Sequence, residues 1–247
     1  MSHPPLTFNA WLRWDIVSRR LAQVDGVASV LEIGAGEGAV GTRLAETHDY
    51  VGVEPDERSC ERARARLEQL GRGRIVCGDL AALEEGLTFD LVCAFEVLEH
   101  IEDDGAALRE WHKRIRPGGH LLLSVPAYLS QWGAGDVKAG HHRRYEPQSL
   151  GETLRDAGFE TIEIDHYGFP LGNVLQWGRN LIARRGPPPE SAAEGSAGSG
   201  RWLQPPEALD RATQAFTWPF RRLQQPFTAG PRGTGLVALA RRSAKIG

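Results

Sequence analysis

The stretch Val30-Leu-Glu-Ile-Gly-Ala-Gly-Glu-Gly38 constrains this chain more than any other. Val30 to Ile33 is a short apolar run of the kind that forms a buried strand. It stops at Gly34, Gly36 and Gly38 follow at alternate positions, and Val40 to His48 is patterned as a helix. A strand that turns into a helix through glycines lets the backbone approach a ligand closely. The helix N-terminus adds a partial positive charge. The turn therefore reads as a nucleotide-binding turn at the carboxyl end of a first strand.

Which nucleotide is a separate question. Gly34, Gly36 and Ala39 fit the dinucleotide pattern G-x-G-x-x-G/A, and Glu54 follows at the distance expected of a ribose contact. An NAD-dependent oxidoreductase is therefore one reading. The later elements decide. Tyr50 to Val53 is a second strand ending at Glu54-Pro55-Asp56, where a carboxylate can accept from both ribose hydroxyls. Asp56 caps a helix to about Leu70, which Gly71 and Gly73 end. Arg74 to Cys77 is a third strand running into Gly78-Asp79-Leu80. Phe89 to Phe95 is a fourth, followed by Glu96-Val-Leu-Glu-His100. A helix to Arg116 is closed by Pro117-Gly118-Gly119, and His120 to Val125 is a fifth strand. Strands alternating with helices predict a doubly wound α/β sheet.

The strings Glu32-x-Gly34-x-Gly36-x-Gly38, Phe89-Asp-Leu-Val, Glu96-Val-Leu-Glu-His100 and Arg116-Pro-Gly-Gly119, in this order, resemble the motifs of the class I S-adenosylmethionine (SAM) methyltransferases. The broad group includes the ubiquinone-pathway O-methyltransferases. The resemblance covers about residues 28–170. It implies a seven-stranded sheet of order 3-2-1-4-5-7-6 with the last strand antiparallel, and SAM as cofactor with S-adenosylhomocysteine as product. It also implies cofactor contacts from Glu32, Gly34, Ala35, Gly36, Gly38, Glu54, Pro55, Gly78, Asp79, Leu80, Phe95 and Glu96. In some relatives a Glu-x-x-Glu-His set binds a divalent ion. Helical spacing would place Glu96, Glu99 and His100 on one face as low-ranking metal candidates, and no metal is expected here.

The remainder surrounds the acceptor side. Pro126 to Pro147 is a long loop leaving the fifth strand. It holds Gly140-His-His-Arg-Arg-Tyr-Glu146, too polar for a core segment. His141 and His142 are the candidate bases, because imidazole titrates near neutral pH, with Tyr145 and Asp136 behind them. Arg143 and Arg144 either bind an acceptor carboxylate or phosphate or pair with a nearby acid. Glu99, His100, Trp14 and Trp177 complete the candidate acceptor contacts. Residues 6–24 form an amphipathic helix, an edge helix or a lid. Ser149 to Ala157 is a helix, Thr161 to His166 a sixth strand and Gly235 to Ala240 the last.

About 65 residues separate these two strands, where the minimal family pattern has a short hairpin. Leu171–Arg185 and Pro206–Gln225 read as helices, the second interrupted at Pro219, with a Pro/Gly/Ser-rich linker at 186–200. The domain plan is thus 1–27, 28–170 with 233–247, and a helical insertion at 171–232. The insertion carries eight arginines against four acidic residues. It reads as a substrate cap, a membrane-surface contact or a subunit contact.

Composition excludes some classes. The net charge of -3 gives no reason to expect nucleic-acid binding. No apolar run approaches a membrane span and no signal-peptide core begins the chain, so the expectation is a cytoplasmic protein. The odd set Cys60, Cys77 and Cys93 lacks C-x-x-C spacing and reads as core thiols. The expected activity is methyl transfer from SAM to an oxygen or nitrogen of a small-molecule or lipid-like acceptor. The rival class is a non-catalytic SAM-binding or assembly module.

Overall fold

The computed structural model describes residues 3–184 and 210–244 of the chain. The expected linker at 186–200, and the start of the second insertion helix, lie outside the described residues. The strands are β1 Ser29–Ile33, β2 Asp49–Glu54, β3 Arg74–Cys77, β4 Phe89–Phe95, β5 Ile115–Pro126, β6 Phe159–Tyr167 and β7 Gly235–Arg242. They form one sheet of order β3-β2-β1-β4-β5-β7-β6. The first five are parallel, and β7 runs antiparallel between β5 and β6. Fold and strand order are those that the motifs imply.

Both faces of the sheet are covered, so its inner strands are apolar on alternate sides. On one face Leu31, Val92, Leu121 and Leu123 pack against Leu108 and Trp111 of α4 (Asp104–Lys113) and Leu150 and Leu154 of α6 (Pro147–Asp156). On the other, Val30, Leu91, Leu122 and Val237 meet Trp11, Leu12, Ile16 and Val17 of α1 (Phe8–Leu21) and Ala63 and Leu67 of α3 (Glu57–Leu70). Thr7 caps α1 by accepting from Ala10 N, and Asp56 caps α3 by accepting from Ser59 N. Gly71 ends α3 at φ 70°, a left-handed conformation that glycine adopts freely.

Several local expectations change. The helix after the glycine turn is one turn only, α2 (Gly41–Leu44). The chain must return at once to Asp49, whose N–H bonds Ala28 O. Pro117-Gly-Gly lies inside β5 rather than after a helix, because Ile115 already pairs with Phe89 and a register shift absorbs the irregularity. Glu96 to His100 is not a helix: Leu98–His100 is a 3-10 turn, and Glu96 sits before it at φ 58°. The long loop after β5 contains a short helix, α5 (Ala134–Ala139).

The insertion supplies α7 (Leu171–Ala183) and α8 (Asp210–Gln224), which continues through Pro219. Packing outweighs the proline: Phe216 stands 5.2 Å from the Phe8 ring of α1, and buried Gln224 donates to Leu12 O at 3.0 Å. Arg20 pairs with Asp165 and Glu163 of β6, so α1 is tied down at its far end as well. No described helix is long and apolar enough to cross a membrane.

The cysteine reading is corrected. Cys60 and Cys77 form a disulfide, and Cys93 is a buried free thiol. The first turn of α3 and the last residue of β3 meet at the same edge of the sheet, which a count of spacings does not reveal.

Glu32 lies inside β1, one residue from its carboxyl end, 3% exposed, and accepts from Tyr50 OH at 2.6 Å. Burial pushes its carboxyl up to about 8, against the opposing effects of Tyr50 and Arg13. The native state therefore keeps a proton that the unfolded chain releases near 4.5. Stability contributed by protonated Glu32 is full below 4.5 and lost as pH rises to about 8. Glu32→Gln keeps an acceptor for Tyr50 without the charge. Urea midpoints between pH 5 and 8 should fall less steeply in the variant than in the parent, an equal slope being the contrary result.

Candidate active site

The glycine turn is shaped by three left-handed residues, Gly34 (φ 69°), Gly36 (φ 54°) and Gly38 (φ 79°). A Cβ at Gly34 would sit 2.6 Å from Val97 Cγ2, and one at Gly38 would sit 2.9 Å from Ala63 Cβ. A Cβ at Gly36 meets nothing within 4 Å, so this glycine borders open space. Gly34 N and Ala35 N both bond Val53 O, which fixes the turn to the end of β2. Glu54 completes it. Its Oε2 accepts from Gly36 N at 2.7 Å and its Oε1 from Asp56 N at 2.9 Å. Burial raises the Glu54 carboxyl, and the two main-chain donors pull it back. Pro55 beyond it is exposed.

The neighbouring strand ends meet the same edge. Gly78 N bonds Glu54 O at 2.9 Å, and Asp79 is exposed, accepting from Ala81 N at 2.9 Å at the head of a turn that begins at Leu80. At the end of β4, Phe95 is buried and Glu96 accepts from Ser124 Oγ at 2.9 Å and Tyr167 OH at 3.0 Å. Non-glycine backbone at φ 58° is strained, and strain of this kind gathers at functional sites. Arg13 of α1 enters here. Its side chain is 15% exposed, its guanidinium lies 5.9 Å over the Phe95 ring, and its Nη1 is 3.7 Å from Glu96 Oε1. Arg13 is not among the site residues that the sequence motifs suggest. Its signal in the sequence is a cation between Trp11, which is buried, and Trp14, which is half-buried.

The long loop after β5 is organised by Asp136. This carboxylate accepts from Arg144 Nε at 2.9 Å and Nη2 at 3.0 Å, from His141 Nδ1 at 2.9 Å and from Gly133 N at 2.8 Å. Burial opposes its charge, but the bonds from His141 and Arg144 outweigh it and hold the carboxyl down to about 2. Asp136 is thus an acceptor only, and His141 must carry its proton on Nδ1. The free Nε2 stands 3.9 Å from Glu99 Oε1, and the His141 ring meets His100 edge-on at 4.8 Å. Glu99 is fully buried, and neither carboxylate oxygen has a hydrogen-bond partner. Burial and the charge of Glu96 push its carboxyl well above the usual range. Burial, aided by His141, holds His100 down to about 4, and its Nδ1 is also unpartnered. Ligand atoms of Glu99, His100 and His141 lie within 4.8 Å of one another, whereas Glu96 faces Ser124 and Tyr167.

The other loop residues are placed differently. Arg144 is fully enclosed and also donates to Ala127 O. Arg143 pairs with Asp104 at 2.8 Å, and Tyr145 OH donates to the same carboxylate at 2.8 Å. Burial and Asp104 raise the Tyr145 phenol, which makes it a poor base. The His142 ring is exposed, while its main-chain N–H holds Glu99 O. Trp14 is half-buried against the α1 side of the core, and Trp177 of α7 is 69% exposed. The inserted helix α7 instead reaches the loop through Asn180, whose Oδ1 accepts from Gly135 N at 2.9 Å. A Cβ at Gly133 or Gly135 would strike Asn180, at 2.5 and 2.8 Å, so the glycine pair in Trp132-Gly-Ala-Gly-Asp136 admits this contact.

The methyltransferase-domain family matches residues 9–164. A Mycolicibacterium smegmatis protein designated a probable S-adenosylmethionine-dependent methyltransferase is 32% identical over 64% of this chain and 63% of its own. The ubiquinone biosynthesis O-methyltransferase of Pseudomonas paraeruginosa is 32% identical over 55% of this chain and 66% of its own. The matched part thus spans just under two thirds of each relative's length. Among solved structures, a Galdieria sulphuraria chain provisionally assigned as a sarcosine dimethylglycine methyltransferase superposes with a TM-score of 0.63 at 16% identity, covering 100% of this chain and 95% of that one. The [4+2]-cyclase SpnF gives 0.59 at 21% identity over 98% and 88%. At these identities the structures show the fold alone. The chain belongs to the class I SAM-dependent methyltransferase family.

The Arg144–Asp136 pair is fully buried, so removing one partner strands the other charge. Arg144→Met should lower unfolding free energy by about 3–5 kcal/mol. Arg143→Met, at a partly exposed pair, should cost less than about 1 kcal/mol. Urea unfolding of both variants tests the ranking, and equal losses would contradict it.

Proposed function

We propose that this protein transfers the methyl group of SAM to an oxygen or nitrogen of a small-molecule or lipid-like acceptor. The observation that carries the reading is the Glu54 clamp. A buried carboxylate faces the site at the end of β2 beside the open space at Gly36, as a ribose contact requires. Asp79 would take the adenine amino group. Arg13, with donors left beside Glu96, would take the methionine carboxylate, and the glycine turn would pass beneath the methionine chain. The ubiquinone-pathway relatives favour oxygen as the methylated atom.

The sulfonium is already activated, so the protein's part is alignment and proton removal. The acceptor atom attacks the methyl carbon in line with the breaking carbon–sulfur bond, and S-adenosylhomocysteine leaves. His141 Nε2, its lone pair freed by the Asp136 bond at Nδ1, receives the acceptor proton. Exposed Val174, Trp177, Leu181 and Ile182 on α7 support an apolar acceptor body. The [4+2]-cyclase SpnF shares the fold, so the fold by itself does not select methyl transfer, and the reading rests on the site.

A second reading of the cluster is favoured by the two unpartnered oxygens of buried Glu99. With His100 Nδ1 and His141 Nε2 they form a donor set that fits Mg²⁺ or Mn²⁺, and Asp136 would stand behind His141 as a carboxylate commonly stands behind a metal-bound imidazole. Such an ion would polarise an acceptor hydroxyl.

S-adenosylhomocysteine should raise the melting temperature and NAD should not. Glu54→Ala should weaken S-adenosylhomocysteine binding by about 1–3 kcal/mol, measured by calorimetry. Gly36→Val should abolish it, and unchanged affinity in both variants would remove the cofactor reading. Transfer from methyl-labelled SAM into a small-molecule and lipid extract tests catalysis. His141→Ala should lose turnover while retaining cofactor affinity. Excess chelator separates the two roles of the cluster: full turnover favours the imidazole base, and loss restored by added Mg²⁺ or Mn²⁺ favours the ion.

A further inference from the structure

The Cys60–Cys77 bond ties the first turn of α3 to the end of β3. Cys60 lies in the first turn of α3, directly after Glu54-Pro-Asp56, and its Cα is 5.6 Å from that of Cys77. Cys77 closes β3, pairs in register with Glu54 and immediately precedes Gly78-Asp79. Since β3 is a four-residue strand at the sheet edge, its hold on the Gly78–Leu80 turn is slight without the cross-link. The two residues differ in access: Cys60 is fully buried and Cys77 is exposed. Arg64, one turn further along α3, donates Nη2 to Cys77 Sγ at 2.9 Å and lies 3.8 Å from Cys60 Sγ. A guanidinium beside a sulfur stabilises the thiolate, and a stabilised thiolate is a better leaving group in exchange.

We propose that Cys60–Cys77 is a thiol–disulfide exchange site for a dithiol reductant, and that its state sets the order of the Gly78–Leu80 turn. A reductant thiolate attacks the exposed Cys77 Sγ. The Cys60–Cys77 bond breaks, and Cys60 departs as a thiolate near Arg64. The second reductant thiol, deprotonated, attacks its own sulfur in the mixed disulfide and releases Cys77. Two electrons pass from the dithiol, which ends as its disulfide, and its two protons end on the two cysteines. The effect on cofactor affinity rests on the reading of Glu54 and Asp79 given above. The exchange chemistry does not.

The test uses the full chain purified without reductant. Alkylation with iodoacetamide after unfolding, followed by peptide mass analysis, should label Cys93 alone, and all three cysteines after dithiothreitol. Reduction should speed amide hydrogen exchange in residues 78–80 several-fold and weaken S-adenosylhomocysteine binding. The Cys60→Ser/Cys77→Ser variant should behave as the reduced protein with or without dithiothreitol, and Arg64→Ala should slow reduction several-fold. Labelling of Cys60 and Cys77 before any reductant overturns the proposal, as does identical exchange in the oxidised and reduced chains. Faster exchange with no S-adenosylhomocysteine binding in either form supports the exchange site and overturns the cofactor reading instead.

Discussion

Glu54 is the residue on which one half of the site depends. Its carboxylate is shielded from water and held at each oxygen by a main-chain N–H, from Gly36 on one side and Asp56 on the other. Those bonds join the turn after β1 to the turn after β2. Without them the glycine turn, with its three left-handed residues, would have backbone freedom and little to spend it on. Val53 O adds two more bonds to the same turn from the strand itself. The parallel sheet makes this possible, because it delivers successive strands with their carboxyl ends at a common edge. The open space beside Gly36 therefore lies next to a carboxylate fixed at both oxygens.

Asp136 does the same for the other half, by side-chain rather than main-chain donors. Arg144, His141 and Gly133 all converge on it. The consequence is chemical as well as structural. A carboxyl held down to about 2 cannot donate, so it dictates the tautomer of His141 and leaves Nε2 facing Glu99 and His100. Glu99 is driven the opposite way by burial without a partner. Two carboxyls on neighbouring segments are thus pushed apart in acidity by their surroundings, a pattern associated with acid–base or ligand-binding chemistry rather than with plain packing.

The strands were legible because they are apolar runs bounded by glycine, proline and acidic residues. Asp56 and Gly71 were legible as the ends of α3 because capping chemistry is local. What failed needed distance. Glu96, Glu99 and His100 have helical spacing, yet the chain leaves β4 through a strained Glu96 and only a 3-10 turn, so Glu96 turns to Ser124 and Tyr167 instead. Pro219 signalled a break that packing of α8 on α1 overrides. The disulfide depends on the return of α3 antiparallel to its flanking strands, and cysteine spacing does not encode that. Within the loop, sequence alone left Arg143 and Arg144 open between ligand and acid. Both have acidic partners, one partly exposed and one enclosed.

The insertion between β6 and β7 bears on the site through contacts that no periodicity announces. Asn180 of α7 seats against Gly133 and Gly135, where any larger residue would collide, and takes the Gly135 N–H. Gln176, one turn earlier, reaches Gln131 with its amide and offers its oxygen to Arg144 at 3.4 Å. These contacts converge on the segment that carries Asp136, and through Asp136 on the His141 ring. The exposed apolar side chains of α7 lie on the remaining face of the same helix. One helix therefore meets two demands at once, fixing the segment that carries Asp136 on one side and presenting apolar side chains on the other. A larger residue at Gly133 or Gly135 would displace Asn180, so the glycines of the loop after β5 and the side chain of α7 can change only together.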